Sequence, residues 1–381
     1  MPPIERPKRR YKVGKIIALV VGALVLLGLG ASRISTNDFS ITPGGAQPVG
    51  PLITIAGHTS NAQGQILLTD VYLTPLSWLT YIPAWLNSTT EIVSQDALVE
   101  PGVSVSELDA QGYLQMAQAK QNAQVAALTR LGYNVGAVPD GAVVNGVGTN
   151  TPASGRLAVA DIIVGVNGQA TSSACAVISA THDLVPGTKV NLQVRQATIS
   201  DTGIITNGSS TNETIKLGEP PADAPSSPCP GVSGSPKGFI GIGLENDVAY
   251  NFPFKISIST PNIGGPSAGL AMTLGIIDEL SNGSLLHAKK IAATGTMDPT
   301  GTVGDVGGVR QKSIAVSDAG AAMFLVPTVE RSTAQATAAA TLKIVPVATL
   351  NQALNILMAQ GGSITMANGT VERQARALSG S

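Results

Sequence analysis

The strongest hydrophobic pattern in the chain is a nearly unbroken apolar run over residues 16–31, preceded by a segment in which basic residues outnumber acidic ones. Counted from residue 13, the run is long enough to cross a bilayer as a helix, which takes about 20 residues. A basic flank stays on the cytoplasmic side. We therefore expect a cytoplasmic segment at 1–12, an anchor at 13–31 and an extracytoplasmic remainder. A cleaved signal peptide is the alternative, but no small-residue cleavage site follows the run.

The next hundred residues combine short apolar runs with polar turns. Residues 32–51 are rich in Gly, Pro, Ser and Thr and indicate a stalk, while the runs at 52–55 and 65–73 predict two strands. Residues 76–86 carry both tryptophans of the chain and a tyrosine between them. Aromatic residues of this kind suit a membrane interface or a packed core, and both alternatives remain open.

A long helix is predicted over residues 107–131. Ser104 and Ser106 are each followed three residues later by an acidic residue, which is typical of a capping box. Gly132 ends the helical pattern. The segment 32–131 contains no complete domain of its own, and we expect its strands and this helix to pack on a domain formed by later residues.

From residue 132 to 217 the pattern changes to short strands around one helix, near 172–183. Asn167-Gly168 predicts a tight hairpin turn. The alternation of Val190, Leu192 and Val194 predicts a half-buried strand. With the Ala160-Asp161-Ile162-Ile163 run, these features resemble a PDZ domain of the bacterial type.

That resemblance implies peptide capture by strand addition beside residues 141–147, and it makes Ala142, Val143 and Val144 the candidate peptide-binding residues. A folded spacer without a ligand is the alternative. The Gly-rich carboxylate-binding loop expected in such a domain has no clear counterpart in the pattern.

A linker rich in Pro and Ser follows at 218–236. It contains Cys229, and Cys175 lies in the predicted PDZ-like helix; these are the two cysteines of the chain. Outside the cytoplasm two such cysteines can form a disulfide, but neither spacing nor composition decides whether they pair.

Strands and helices alternate between residues 237 and 360. A strand at 254–260 leads into Gly265-Pro266-Ser267-Ala268-Gly269, and a helix over 270–280 follows. Ser267 thus lies at a helix start, where backbone N–H groups and the helix dipole can stabilise an oxyanion. A turn that merely starts a helix is the alternative for this motif taken alone.

A second motif changes that balance. The sequence TGTMDPTGTVGDVGGVRQK occupies residues 294–312, and together with GPSAG it resembles the proteolytic domain of the Lon family. The resemblance implies that Ser267 is the nucleophile, that Lys312 is the general base and that Thr294 orients the lysine. The sequence departs from the family at Gly264, where many members have an acidic residue.

The chemistry of such a dyad requires a neutral lysine. The pKa of the lysine must fall to about 7–8, which means that its charged form is destabilised by about 3–4 kcal/mol relative to a free lysine. Burial in an apolar pocket can destabilise the charged form by that amount. GPSAG also fits the nucleophile motif of α/β-hydrolases, but the single histidine after Ser267 is His287, which lies too close in sequence.

Composition excludes several function classes. The formal net charge of −1 gives no reason to expect nucleic-acid binding, and no Cys/His spacing indicates a metal site. The sequence has no phosphate-binding Gly-x-x-x-x-Gly-Lys-Ser/Thr stretch, so no ATP and no other cofactor is expected.

We therefore predict an α+β multidomain protein with an N-terminal transmembrane helix, a PDZ-like β-rich domain at 132–217, a Lon-type α/β proteolytic domain at 237–360 and a flexible tail at 361–381. The predicted function is that of an ATP-independent, single-pass serine endopeptidase of the cell membrane acting on proteins or peptides. Its ring-forming relatives imply a homo-oligomer. A catalytically idle, PDZ-containing scaffold is the alternative.

Overall fold

The computed structural model describes residues 15–23, 29–30, 32, 34–59, 61–98, 104–222 and 224–373. The predicted basic segment 1–12 lies outside these residues. Of the predicted anchor, residues 15–23, 29 and 30 are described, and they are helical. Within the described part of the chain, no helix has both the length and the apolar character needed to cross a membrane.

The described strands and helices follow one another along the chain with few long gaps. The strands are β1 (Ser35–Pro48), β2 (Ile53–Ile55), β3 (Gln65–Ser77), β4 (Glu91–Ser94), β5 (Gly136–Val147), β6 (Ile162–Val166), β7 (Gln169–Ala170), β8 (Lys189–Ile199), β9 (Ile205–Lys216), β10 (Ile242–Asn251), β11 (Ile256–Ile258), β12 (Lys290–Ala293), β13 (Thr296–Met297), β14 (Val303–Gly304), β15 (Met323–Pro327), β16 (Lys343–Val347), β17 (Ile364–Thr365) and β18 (Val371–Glu372). The helices are α1 (Trp78–Leu86), α2 (Gln95–Leu98), α3 (Val105–Arg130), α4 (Ala174–Thr181), α5 (Gly269–Leu280), α6 (Val309–Asp318), α7 (Arg331–Thr337) and α8 (Leu350–Ala359).

The chain divides into two compact units, and the smaller one comprises Met1–Gly44 and Val71–Pro101. In it β1 pairs antiparallel with β4, with Phe39 opposite Val93. The stalk predicted over 32–51 is therefore wrong, because most of this segment is the 14-residue strand β1. Its Thr and Ser residues fit an extended strand as well as a loop.

The larger unit comprises Gly45–Asp70 and Gly102–Ser381. Its central sheet has the order β16–β15–β12–β3, and these neighbouring strands are parallel. Buried side chains from β3, α3 and α5 share one core on one face of this sheet, and they include Leu68, Leu128 and Leu274. The strand and helix that precede the PDZ-like segment are thus part of the same core as the later protease segment.

A second sheet of the larger unit has the order β10–β5–β6–β8–β9, with α4 against it. Its core includes Ile163, Leu192 and Ile215 from the predicted PDZ-like segment, and Ile240 from beyond the linker. The domain boundary predicted at residue 237 is therefore too early, because β10 pairs with β5 along its length. The pattern of β10 alone does not show which sheet it joins.

The C-terminal segment differs from the flexible tail predicted over 361–381. Its described part, up to residue 373, forms the hairpin β17–β18. Ile364 is fully buried, and Glu372 pairs with Arg130 of α3 at 2.7 Å. Residues 374–381 lie outside the described residues.

Candidate active site

Ser267 lies between β11 and α5, immediately before Ala268, the N-cap of α5. Gly265 has a φ of +83°, in the left-handed region that favours glycine. At Gly269 a Cβ atom would lie 2.7 Å from the backbone nitrogen of Met297, so only glycine lets the first turn of α5 approach β13. The small residues of the motif are therefore explained by backbone geometry around the serine.

Two hydrogen bonds fix the backbone of Ser267. Its carbonyl oxygen accepts from the amide of Gly295 at 2.9 Å and from the hydroxyl of Thr294 at 3.2 Å. The amide of Thr294 donates in turn to Leu325 of β15 at 3.0 Å. The Thr-Gly pair that follows β12 thus connects the loop between β11 and α5, residues 259–268, to the central sheet. We call this loop the serine loop.

Thr294 was predicted to orient Lys312, whereas its described hydrogen bond goes to Ser267. A hydroxyl has one donor hydrogen and two acceptor lone pairs. Donation to the Ser267 carbonyl therefore leaves the Thr294 oxygen able to accept a hydrogen bond from an amine, and the predicted contact with Lys312 stays a prediction.

Lys312 is on the first turn of α6, where its amide donates to Gly308 at 2.9 Å. Its side chain is 3% exposed. Burial lowers the pKa of Lys312 to about 8, although the negative charges of Asp70 and Glu330 act to raise it. Because removal from water penalises the charged form, a substantial fraction of this lysine is neutral near physiological pH.

Asp70 and Glu330 are parts of this environment that the sequence pattern did not reveal. Asp70 is on β3 and accepts a hydrogen bond from the amide of Gly45. Glu330 lies just before α7; burial raises its pKa, as does the charge of Asp305, while Lys312 lowers it. A carboxylate that follows a buried run is a common site signal, and Asp70 is such a carboxylate. Because Asp70 lies far from Lys312 in sequence, the pattern did not reveal that its charge acts on the lysine.

The loop before Ser267 is also held by two segments distant in sequence. The amide of Gly265 donates to the carbonyl of Gly112 in α3 at 2.8 Å, and the amide of Asn262 donates to Thr202 in the β8–β9 turn at 3.3 Å. A Cβ at residue 264 would lie 3.2 Å from the carbonyl carbon of Gly112. The glycine found at 264, where the Lon-like pattern often has an acidic residue, therefore matches the close approach of α3.

A polar cavity of about 290 Å³ opens beside the serine loop. Its walls are Pro266, residues of the β13–β14 hairpin and the polar face of α3. The α3 residues in the wall are Gln115, Gln118 and Asn122.

The predicted peptide site at Ala142, Val143 and Val144 is wrong. These residues are buried and lie on β5, which is hydrogen-bonded to β10 on one edge and to β6 on the other. A peptide strand cannot add to a strand whose two edges are paired. β10 lies at the end of the described strand order, so its outer edge is the one next to α4.

A cavity of about 270 Å³ lies between α4 and β10. Val177 of α4 and Ile242 and Leu244 of β10 contribute to its walls, and the glycine-rich turn 238–241 closes one end. Linker residues 224–228 also line it. Cys229 of the linker forms a disulfide with Cys175 of α4, with a Cα–Cα distance of 5.4 Å. Gly238 and Gly241 of the turn before β10 line the cavity.

Two models of known protein families match parts of the chain. The model of the Lon protease (S16) C-terminal proteolytic domain matches residues 254–360, and that of the PDZ domain matches residues 102–204. The chain thus contains a Lon-type proteolytic domain and a PDZ domain. The PDZ match includes α3, whose buried side chains belong to the protease core.

Solved structures similar to the chain include three domains of Listeria proteins. The PDZ domain of an SdrC-like protein from Listeria monocytogenes is 22% identical, over 28% of this chain and 87% of that one, with a TM-score of 0.21. The corresponding domain from Listeria innocua is 23% identical, over 28% and 93%, with a TM-score of 0.19. The second domain of that L. innocua protein is 19% identical, over 29% and 84%, also at 0.19. The comparison with curated proteins finds no significant match.

Proposed function

We propose that the protein is a membrane-anchored serine endopeptidase that works without ATP, with Ser267 as nucleophile and Lys312 as general base. The observation that carries the proposal is the buried lysine: its side chain is 3% exposed and its pKa is lowered to about 8, while Ser267 lies immediately before the N-cap of α5. A buried lysine with a lowered pKa is unfavourable for stability, and a proton-transfer role gives it a purpose.

In the proposed reaction, the Ser267 hydroxyl oxygen attacks the carbonyl carbon of the substrate peptide bond while neutral Lys312 takes the hydroxyl proton. Collapse of the tetrahedral intermediate breaks the C–N bond, and Lys312 returns the proton to the leaving amine. A water molecule, deprotonated by Lys312, then hydrolyses the acyl ester and regenerates both groups.

The oxyanion requires hydrogen-bond donors at the start of α5. The amides of Gly269 and Leu270 donate to the carbonyls of Pro266 and Gly295. Within the described part of the chain, the amides of Ser267 and Ala268 make no backbone hydrogen bond. We assign these two amides to the oxyanion, since preorganised backbone donors at this position stabilise developing negative charge.

The PDZ domain would bind a substrate or regulatory peptide in the cavity between α4 and β10. The exposed edge of β10 offers main-chain hydrogen bonds, and the apolar walls accept alternate side chains. The glycine-rich turn 238–241 is placed to bind a terminal carboxylate. The β8–β9 turn of the same domain contacts the serine loop through Thr202, so peptide binding and catalysis have a physical connection.

Membrane anchoring and independence from ATP are supported by the sequence. The apolar run at 16–31 follows a basic segment, which favours a helix with its N-terminus in the cytoplasm. No phosphate-binding loop motif occurs in the 381 residues. Ring formation with further copies is the expectation from similarity to Lon-type domains.

Proteolysis of casein by the full chain in detergent micelles tests the dyad. We expect cleavage by the parent and none by Ser267→Ala or Lys312→Met. Ser257→Ala and Lys343→Met serve as matched controls, because both residues are exposed on nearby strands. Circular dichroism and thermal unfolding would show that all variants are folded.

Equal background cleavage by parent and variants would contradict the proposal. If the parent then still bound peptides in the cavity beside β10, the protein would belong to a different class, a peptide-binding scaffold that retains the protease fold.

A further inference from the structure

Helix α1 (Trp78–Leu86) is an ordered helix that buries none of its residues. Its start is fixed by a capping box, in which Ser77 and Thr80 exchange hydrogen bonds between side chain and backbone. Asn87 closes its other end by donating to Ala84 at 3.3 Å. The helix is therefore locally well formed, although nothing in the described fold covers its apolar side chains.

The exposed side chains of α1 are large and apolar. Trp78 is 60% exposed, Ile82 64% and Trp85 71%, and Leu79 and Leu86 are exposed as well. Tyr72 and Leu73 of β3 are exposed as well. Leaving such side chains in water is unfavourable relative to burying them, so a partner is expected to cover them.

The sequence of this surface indicates what the partner is. No charged residue occurs between residues 71 and 90, and Trp and Tyr are the residues enriched where a membrane meets water. The rings of Trp78 and Tyr81 lie 6.4 Å apart, on a helix whose other large exposed side chains are Leu79, Ile82, Trp85 and Leu86. This composition suits the headgroup boundary better than a protein interface, which normally carries a polar rim.

The position of α1 within its unit gives a second, independent argument. The amide of Trp78 donates to the carbonyl of Ile34 at 3.2 Å, and the hydroxyl of Thr36 donates to Leu76 at 2.8 Å. Ile34 comes three residues after the apolar run 16–31. The first turn of α1 is thus attached to the point where the chain would leave the bilayer.

The length of α1 excludes a second membrane span. Nine residues of helix extend about 14 Å, whereas the hydrocarbon core of a bilayer is about 30 Å thick. A short apolar helix beside a membrane exit point can insert only into the interfacial layer, where its backbone is fully hydrogen-bonded.

We propose that α1 is an interfacial helix, embedded in the headgroup layer of the membrane that the N-terminal anchor crosses. The inference rests on the proposed anchoring, not on the proposed catalysis. The anchor and α1 would then each contact the membrane, and together they would hold the smaller unit at the bilayer surface.

The two tryptophans provide a direct probe, because the chain has no others. The full chain would be reconstituted into phosphatidylcholine vesicles containing lipids brominated either near the headgroup or near the end of the acyl chain. We expect a blue-shifted tryptophan emission, strong quenching by the shallow bromines, weaker quenching by the deep ones and protection from aqueous acrylamide. Trp78→Phe and Trp85→Phe separate the two signals.

A charged substitution supplies the matched control. Ile82→Asp places a carboxylate on the exposed face of α1 and is expected to abolish most of the bromine quenching. Val185→Asp changes an equally exposed valine, 59% accessible, in the PDZ domain and is expected to leave quenching unchanged. Both sites are exposed, so neither substitution disturbs the core.

Three results would overturn the proposal. Emission quenched by acrylamide but by no brominated lipid would place α1 in water. Protection from both quenchers would show a protein cover, such as a second copy of the chain. Protein that does not float with vesicles would exclude both the anchor and the interfacial helix, whereas loss of casein cleavage with normal quenching would affect only the proposed catalysis.

Discussion

The amide of Gly265, two residues before the nucleophilic serine proposed here, donates a 2.8 Å hydrogen bond to the carbonyl of Gly112 in α3. The carbonyl belongs to a residue within a helix, and it lies against the backbone of the serine loop. Gly264 permits this approach, because a Cβ there would lie 3.2 Å from the carbonyl carbon of Gly112. The position of Ser267 therefore depends on a helix that lies far earlier in the chain.

We expect substitution of the two glycines by alanine to have different effects on catalytic activity. In Gly264→Ala the new Cβ would lie 3.2–3.3 Å from Gly112 backbone atoms, so the loop must shift, and we expect kcat/KM to fall about tenfold. In Gly112→Ala the nearest atom would be 3.6 Å away, an ordinary contact, and activity should be retained. Steady-state cleavage of a fluorogenic casein measures both, and equal activity in the two variants would contradict the role of this contact.

The pH dependence of kcat/KM should reflect Lys312. Only the neutral amine can act as a base, so activity should rise with pH through an apparent pKa of about 8. Glu330→Gln removes a negative charge that raises the lysine pKa, and its profile should move to lower pH. Glu219→Gln, an exposed carboxylate elsewhere, should leave the profile unchanged. An inflection that Glu330→Gln does not move would argue against Lys312 as the base.

Lys312→Met should inactivate the protein and stabilise it. The folded-state pKa of Lys312 is depressed from 10.5 to about 8, so between these values the unfolded chain binds a proton that the folded chain does not. The free energy of unfolding of the parent should consequently increase with pH across this window, by up to about 3 kcal/mol. At pH 7 the free energy of unfolding of the parent should therefore be lower by this amount than at a pH above both pKa values.

Urea denaturation at pH 7 and pH 10 measures this linkage. The difference in unfolding free energy between Lys312→Met and the parent should shrink as the pH increases, while Lys343→Met, at an exposed site, should show no such trend. A Lys312→Met variant less stable than the parent at pH 7 would contradict this account of the buried lysine.

Gly203→Ala tests the connection between the PDZ domain and the serine loop. Gly203 has a φ of +78°, and a Cβ there would lie 2.2 Å from the ring of Tyr113. The β8–β9 turn must move away, which breaks the 3.3 Å hydrogen bond from Asn262 to Thr202. We expect casein cleavage to fall while peptide binding at the PDZ cavity is unchanged.

Gly208→Ala is the control for this substitution. It lies on β9, and its Cβ would make only a 3.5 Å contact with the carbonyl of Gln196. Retained cleavage in Gly203→Ala, or equal losses in both variants, would show that the turn does not influence the serine loop.

The disulfide between Cys175 and Cys229 should stabilise the PDZ domain and restrict its cavity. It closes a loop of 54 residues, for which chain entropy predicts about 4 kcal/mol. In the double variant Cys175→Ser, Cys229→Ser we expect that loss in urea denaturation.

A fluorescent peptide with a free, apolar C-terminus should bind this double variant more tightly than the parent, because linker residues 224–228 can leave the cavity walls. An amidated peptide is the control, and unchanged binding would show that the linker does not obstruct the site.

Much of the protease region could be predicted because its pattern is local. The helix over 270–280 and the strand over 323–327 match α5 and β15 closely, since caps, glycine stops and apolar runs are carried by adjacent residues. Of the two serines that the pattern offered as caps, Ser104 is the N-cap of α3, and its hydroxyl oxygen accepts from the amide of Glu107 at 3.2 Å. Glu107, however, does not complete the capping box; it accepts a hydrogen bond from Val147 of β5.

The errors concern pairings between distant segments. The sequence pattern predicts strand addition beside residues 141–147, but both edges of β5 are paired, one of them with β10, about a hundred residues later. The same applies to Asp70 and Glu330, whose influence on Lys312 arises only when β3 and the segment before α7 meet α6. The alternation of apolar and polar side chains identifies a strand, whereas the strands that pair with it depend on segments elsewhere in the chain.

The interleaving of the two sheets has a consequence for the timing of synthesis. β3 is completed early, yet its parallel neighbour β12 lies more than two hundred residues later, and the PDZ sheet between them closes with β10 first. Ser267 and Lys312 cannot reach their described surroundings until β15 and β16 have joined the central sheet. A nascent chain therefore brings Ser267 and Lys312 into their described surroundings only after nearly all of it has been made.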